Sequence, residues 1–193
     1  MKNRWDQDKS VSFDNDQLAM RVYTSNLMGE EEDLVLHGGG NTSFKGVAKT
    51  IFGEDEPVLF VKGSGSDLRT IKKIGFSPAR LKYLLELGKL KSLTDSEMMS
   101  QLRIALLDPK APTPSIEAIL HALIPYRFVD HSHADAVVTI SNTPNGHEHL
   151  KRIYGDDVLI LPYIMPGFIL AKQVADVVHQ IDWSKITGIV LLH

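Results

Sequence analysis

Cysteine is absent from the sequence, so no disulfide and no thiolate metal site can form, and His, Asp and Glu remain as the side chains able to hold a metal ion. No stretch reaches the ~20 apolar residues of a helical membrane span. The most apolar run, VLILPYIMPGFILA, is shorter and is broken by two prolines. The opening segment, MKNRWDQDKSVSFDND, lacks the apolar centre of a secretory signal. An excess of positive charge is missing too: 21 Lys and Arg stand against 24 Asp and Glu, a net charge of -3, so no overall field draws in a polyanion. These absences lead us to expect a cytoplasmic protein with neither nucleic acid nor membrane as partner. No internal repeat or low-complexity segment is visible.

What is present is an ordinary globular balance, 193 residues with 43% apolar and 23% charged, enough for one domain with a sizeable core. Leu18, Ala19, Val22, Tyr23, Asn26 and Leu27 recur at helical spacing, and Gly29 can supply a left-handed cap. The runs DLVLH, TSFK, KTIFG and PVLFVKG, separated by glycine turns, read as neighbouring antiparallel strands. Ser77-Pro78 has the pattern of a cap and first residue opening a helix through KYLLEL to Gly88. Thr94-x-x-Glu97 is a capping box ahead of a helix to about Leu107, and the prolines 109, 112 and 114 make a stiff connector. PSIEAILHALI reads as a helix, VLILP as a strand, FILAKQVADVVHQI as a helix and TGIVLL as a buried strand. That apolar strand stops at the last residue, so residues 1–193 are expected to be a single domain truncated at its C-terminus.

Chemistry concentrates in PSIEAILHALIPYRFVDHSHADAVV. On a strand, residues two apart share a face, so His131 and His133 can present two imidazoles to one divalent ion. Hydrogen-bonded surface histidines would give the same spelling. Glu117 and His121, four apart, lie off the apolar stripe of Ile116, Ile119, Leu120, Leu123 and Ile124. A glutamate in a first helical turn is also favoured by the helix dipole alone. A metallo-β-lactamase-like H-x-H-x-D-H is not matched, because Ala136 stands where a second-metal ligand belongs. An amidohydrolase barrel needs ~250 residues, and 60 follow His133. The loops His37-Gly-Gly-Gly-Asn41-Thr-Ser43 and Lys62-Gly-Ser-Gly-Ser66 read in isolation as plain hairpin turns first and as a phosphate cradle second, and neither is a nucleotide motif.

Taken in order, GGGNTS, KGSGSDL, PSIE and HSH resemble the class II aldolase/adducin family. The longer strings HGGGNTSFKG, LLDPKAPTPSIEAILHA, FVDHSHADAVV and PYIMPGF look most like the aldolase half of bacterial rhamnulose-1-phosphate aldolase/short-chain dehydrogenase fusion proteins. The resemblance runs from about residue 18 to the end. It implies an α/β fold, a three-layer α/β/α sandwich around a mixed, largely antiparallel sheet, with a helix directly after His133. It also implies a homotetramer with sites between subunits. By the family pattern His131 and His133 correspond to ligands of zinc or another divalent metal, and Glu117 to the catalytic acid/base. Gly40, Asn41, Ser64, Gly65 and Ser115 correspond to the loops that hold the substrate phosphate. Ile116 replaces a serine that several members carry, and the third metal histidine is His193 or the residue beyond it.

The implied activity is cleavage of a ketose 1-phosphate, rhamnulose 1-phosphate-like, to dihydroxyacetone phosphate and an aldehyde. The metal would act as a Lewis acid, and Glu117, its pKa raised by a partly closed apolar surrounding, would handle the proton. The alternative is a non-catalytic, adducin-like assembly module or an inactive aldolase fragment, which would hold no stoichiometric metal.

Overall fold

The structure, a computed structural model, describes residues 2–192. Two helices open the chain: α1 (Gln7–Val11), whose Asp6 cap accepts from Lys9 N, and α2 (Gln17–Gly29), whose Asp16 cap accepts from Ala19 N. The periodicity had placed α2 correctly but not the role of Gly29. It ends the helix without a left-handed φ, and an added Cβ would lie 2.2 Å from Arg69 N. Close approach to the Leu68–Arg69 backbone therefore requires glycine there.

β1 (Asn41–Lys49) and β2 (Asp55–Lys62) form an antiparallel hairpin with Phe44 opposite Phe60. Two expected strands are corrected. KTIFG makes the hairpin turn, closed by Gly53 N donating to Thr50 O at 3.0 Å, and DLVLH is a loop. A further correction follows at Ser77-Pro78: these residues lie in β3 (Phe76–Arg80), which pairs antiparallel with β2, and helix α3 (Leu81–Leu87) starts only afterwards. Proline is admissible because β3 is the outermost strand of its sheet. α4 (Asp95–Ile104) has both hydrogen bonds of the capping box at Thr94 and Glu97, and it stops short of Leu107.

The chain continues through α5 (Ala118–Leu123), β4 (Phe128–His131), α6 (Asp135–Ser141), α7 (Gly146–Tyr154), β5 (Val158–Leu161), α8 (Phe168–Val177) and β6 (Gly188–Leu191). One sheet runs β3-β2-β1-β4, antiparallel throughout, and a second pairs β5 with β6 in parallel. The fold is thus α/β with a largely antiparallel central sheet, as expected. The residues of β6, expected to be buried, are half-buried.

The main core joins Leu59, Val61 and Ala79 of the four-stranded sheet to Leu84, Met98, Leu102, Ile119 and Phe168 of the helices. Each such large side chain contributes roughly 1.5–3 kcal/mol by leaving water. That core fixes α5 against the sheet, and α5 carries Glu117 at its entrance. Among the described residues no helix is long and apolar enough to cross a membrane.

Candidate active site

Strand register brings the motifs together. In the β1–β4 ladder Asn41 is the cross-strand partner of His131. Beyond β2, an isolated bridge joins Gly63 to Pro114, with Ser64 N donating to Thr113 O at 2.8 Å and Ser115 N to Lys62 O at 3.0 Å. The segment before the triple glycine is tied to the far side of the histidine pair, because His133 N donates to Leu34 O at 2.9 Å. Four stretches distant in sequence thus share one end of the sheet.

Glu117 sits at their centre, 6% exposed. Its Oε2 accepts from Asn41 Nδ2 at 2.5 Å and meets His131 Nδ1 at 2.6 Å, while its backbone N donates to Ser115 Oγ at 3.3 Å. Burial pushes the carboxyl upward, but the hydrogen bond and charge of His131, the Asn41 amide and the nearby His121 outweigh it. The result is a pKa lowered to about 2, which corrects the raised value expected from an apolar surrounding. The pocket around this carboxylate is polar where it matters.

His131 and His133 lie side by side, ring centroids 4.9 Å apart and planes inclined at 61°. The Glu117 contact engages His131 Nδ1 and leaves Nε2 as the ring atom for a cation, the arrangement in which a carboxylate orients a metal-ligating imidazole. Buried Asn41 Oδ1 has no hydrogen-bond partner, a group that a bound ligand would satisfy. Among the described residues no three His, Asp or Glu side chains form a metal-holding group, and His193 lies outside them. The two imidazoles therefore fit a divalent ion as part of a ligand set.

The triple-glycine loop is built tightly at Gly40. Gly40 has φ +61°, and a Cβ there would lie 2.6 Å from Val35 Cγ1 and 2.7 Å from His131 O. Gly65 has φ +76° with open space around it, and Ser64 is exposed beside it. Ser115 is buried under Glu117. Gly40, Asn41, Ser115, Glu117 and His131 are joined by direct contacts, with His133 alongside, whereas Ser64 and Gly65 are exposed and do not line the cavity described below.

Two residues of this region had no expected role. Lys62 donates to Gly38 O and Ser66 O, and His121 Nδ1 lies 2.8 Å from Ser43 Oγ. His121 had been visible at four residues from Glu117, but nothing in the spelling marked its full burial. A cavity of about 480 Å³ opens from Glu117, His131 and His133 toward Phe128, Tyr163 and Trp183. That volume is within the ~300–1,000 Å³ range of small-molecule sites.

A model of the family described as Class II Aldolase and Adducin N-terminal domain matches residues 20–193. The chain is 40% identical over 176 residues to the "Uncharacterized oxidoreductase YuxG" of Bacillus subtilis (strain 168), a match covering 91% of this chain and 25% of that protein. It thus spans about a quarter of the length of that curated relative. The N-terminal class II aldolase domain of a conserved protein from Thermoplasma acidophilum superimposes with a TM-score of 0.88 at 44% identity, over 100% of this chain and 85% of that one. YgbL from Escherichia coli shares the fold alone, with a TM-score of 0.56 and 13% identity over 92% and 74% of the two chains.

Proposed function

The chain belongs to the class II aldolase and adducin family, and from that premise we propose that it is the aldolase-like domain of an enzyme cleaving a ketose 1-phosphate to dihydroxyacetone phosphate and an aldehyde. The observation that carries this reading is the buried Glu117 carboxylate held between Asn41 and His131 in the lining of a cavity of about 480 Å³. A rhamnulose 1-phosphate-like substrate is the one its sequence motifs favour. The oxidoreductase name of the Bacillus subtilis relative supports an aldolase half fused to a dehydrogenase in such proteins.

Cleavage removes the C4 hydroxyl proton, breaks the C3–C4 bond with its electron pair going to the dihydroxyacetone phosphate fragment, and releases the C4 carbon as the aldehyde. The fragment must then gain a proton at C3. With its pKa near 2, Glu117 is ionised at neutral pH, the state that removes this proton in the condensation direction. In cleavage the carboxylate first takes up a proton, balanced by the one leaving the C4 hydroxyl, and then delivers it to C3. Asn41 and His131 keep the carboxylate in one orientation, which spares its reorganisation during transfer. Zinc or another divalent ion, held by His131 and His133 with a third ligand, would supply Lewis-acid stabilisation of the developing charge. The loops carrying Gly40, Asn41, Ser64, Gly65 and Ser115 would hold the phosphate, using binding energy remote from the reacting carbons to fix their register.

Kinetics of dihydroxyacetone phosphate release from a ketose 1-phosphate by the full-length protein test this reading. Glu117→Ala is expected to lower kcat about a hundredfold to ten-thousandfold with bound metal retained. An unchanged cleavage rate in that variant would overturn the assignment.

A further inference from the structure

Asn41, Ser43 and Lys45 alternate along β1, so they share one face of the strand. Each of them meets the stretch from Glu117 to Tyr126. Asn41 Nδ2 donates to the Glu117 carboxylate at 2.5 Å, and Ser43 Oγ lies 2.8 Å from His121 Nδ1. The Lys45 ammonium donates to His121 O, Ile124 O and Tyr126 O at 2.9, 2.6 and 2.7 Å. Two strand residues advance ~6.6 Å and four helical residues ~6 Å, so these rungs between β1 and α5 stay in step.

Lys45 closes this ladder at the end away from the site. α5 stops at Leu123 and β4 starts at Phe128, and the three carbonyls belong to the last turn of α5 and to the connection 124–127. The final carbonyls of a helix have no partner within it, and a cation beside them also suits the helix dipole. Burial lowers the pKa of Lys45 to about 8, so it is charged at neutral pH. At the opposite ends of the same two elements stand Glu117 and His131, 2.6 Å apart. The apolar core also holds α5, but apolar contact is non-directional, whereas three hydrogen bonds fix the helix along its own axis.

We propose that Lys45 is a positioning residue for Glu117: by holding the corner between α5 and β4 with three charge-assisted hydrogen bonds, it sets where the carboxylate stands against Asn41 and His131. This rests on reading Glu117 as the proton carrier. Lys45 does not line the cavity. Its effect therefore reaches the chemistry through the placement of Glu117 and falls on kcat rather than on KM.

The test joins kinetics of ketose 1-phosphate cleavage by the full-length protein to crystal structures of the unaltered protein and its Lys45→Met variant. In Lys45→Met we expect kcat lowered about tenfold or more, KM within about threefold, and Glu117 displaced against Asn41 by about 1 Å. Lys45→Arg keeps the charge and the donors and is expected to bring kcat back to within about threefold of the unaltered protein. Lys45→Gln, which lacks the charge, takes the place of Lys45→Met should that variant fail to fold. A folded uncharged variant with Glu117 unmoved, or with kcat within about twofold of the unaltered protein, would overturn the role of Lys45. So would a loss of kcat that Lys45→Arg does not restore. An unaltered protein that cleaves no ketose 1-phosphate would overturn the aldolase reading instead, and the displacement of Glu117 would then uphold or overturn the role of Lys45 by itself.

Discussion

Asn41, Glu117 and His131 meet because each stands at the boundary of its element: first in β1, immediately before α5, and last in β4. Boundary positions free a side chain from the packing of its own element while the backbone stays anchored. Gly40, one residue earlier, makes this possible by turning the chain at φ +61° under the His131 carbonyl. Gly40→Ala is expected to destabilise the protein by about 3 kcal/mol, combining left-handed strain with overpacking. Denaturant unfolding measures this, and a loss below about 0.5 kcal/mol would contradict the tight turn. At this scale the sequence spoke through its motifs, which named Glu117 and the histidine pair. It was silent on Lys62, since a lysine ending an apolar run reads as a solvated strand end until its partners are seen. The pKa of Glu117 was misjudged for a similar reason: burial was legible, but Asn41 and His131 were not known to face the carboxylate.

Between elements, the contact of His121 on α5 with Ser43 on β1 locks the helix that carries Glu117 onto the sheet. Burial, opposed by the Glu117 charge, lowers the His121 pKa from 6.5 to about 3. The unfolded chain therefore takes up a proton below about 6.5 that the folded chain refuses until about 3, so this part of stability falls as pH drops through that window. Glu117, depressed from 4.5 to about 2, adds a second loss in the same direction at lower pH. Unfolding midpoints between about pH 7 and pH 4.5 isolate the histidine, and His121→Gln should flatten the curve there. A wild-type midpoint constant across that range would contradict a buried neutral His121.

Local signals succeeded at element scale where they act alone, as in the Thr94–Glu97 capping box. They failed where pairing with distant chain decided. Phe76–Arg80 became a strand because β2 offers partners from Val58 to Lys62, and DLVLH stayed a loop because the Asp33 and Leu34 carbonyls accept from Asp135 N and His133 N.

On the scale of the whole molecule, the four-stranded sheet and the β5–β6 pair flank the cavity, which is bounded by Val129 on one side and by Ile189 and Val190 on the other. Apolar side chains make up much of the cavity lining, and Glu117, His131 and His133 are among its polar groups. The ordered motifs made this architecture legible through family resemblance. Periodicity and glycine turns alone point to neighbouring antiparallel strands but not to the β1–β4 pairing, because Asn41–Phe44 and Phe128–His131 lie far apart in sequence. The assembly of cation and carboxylate is the point on which the enzymatic reading turns. It is tested most directly by elemental analysis of the purified full-length protein beside a His131→Ala/His133→Ala variant. About one equivalent of a divalent metal per chain is expected in the first and less than about a tenth in the second. Equal metal in the two proteins, or a metal-free wild type that still cleaves a ketose 1-phosphate, would contradict it.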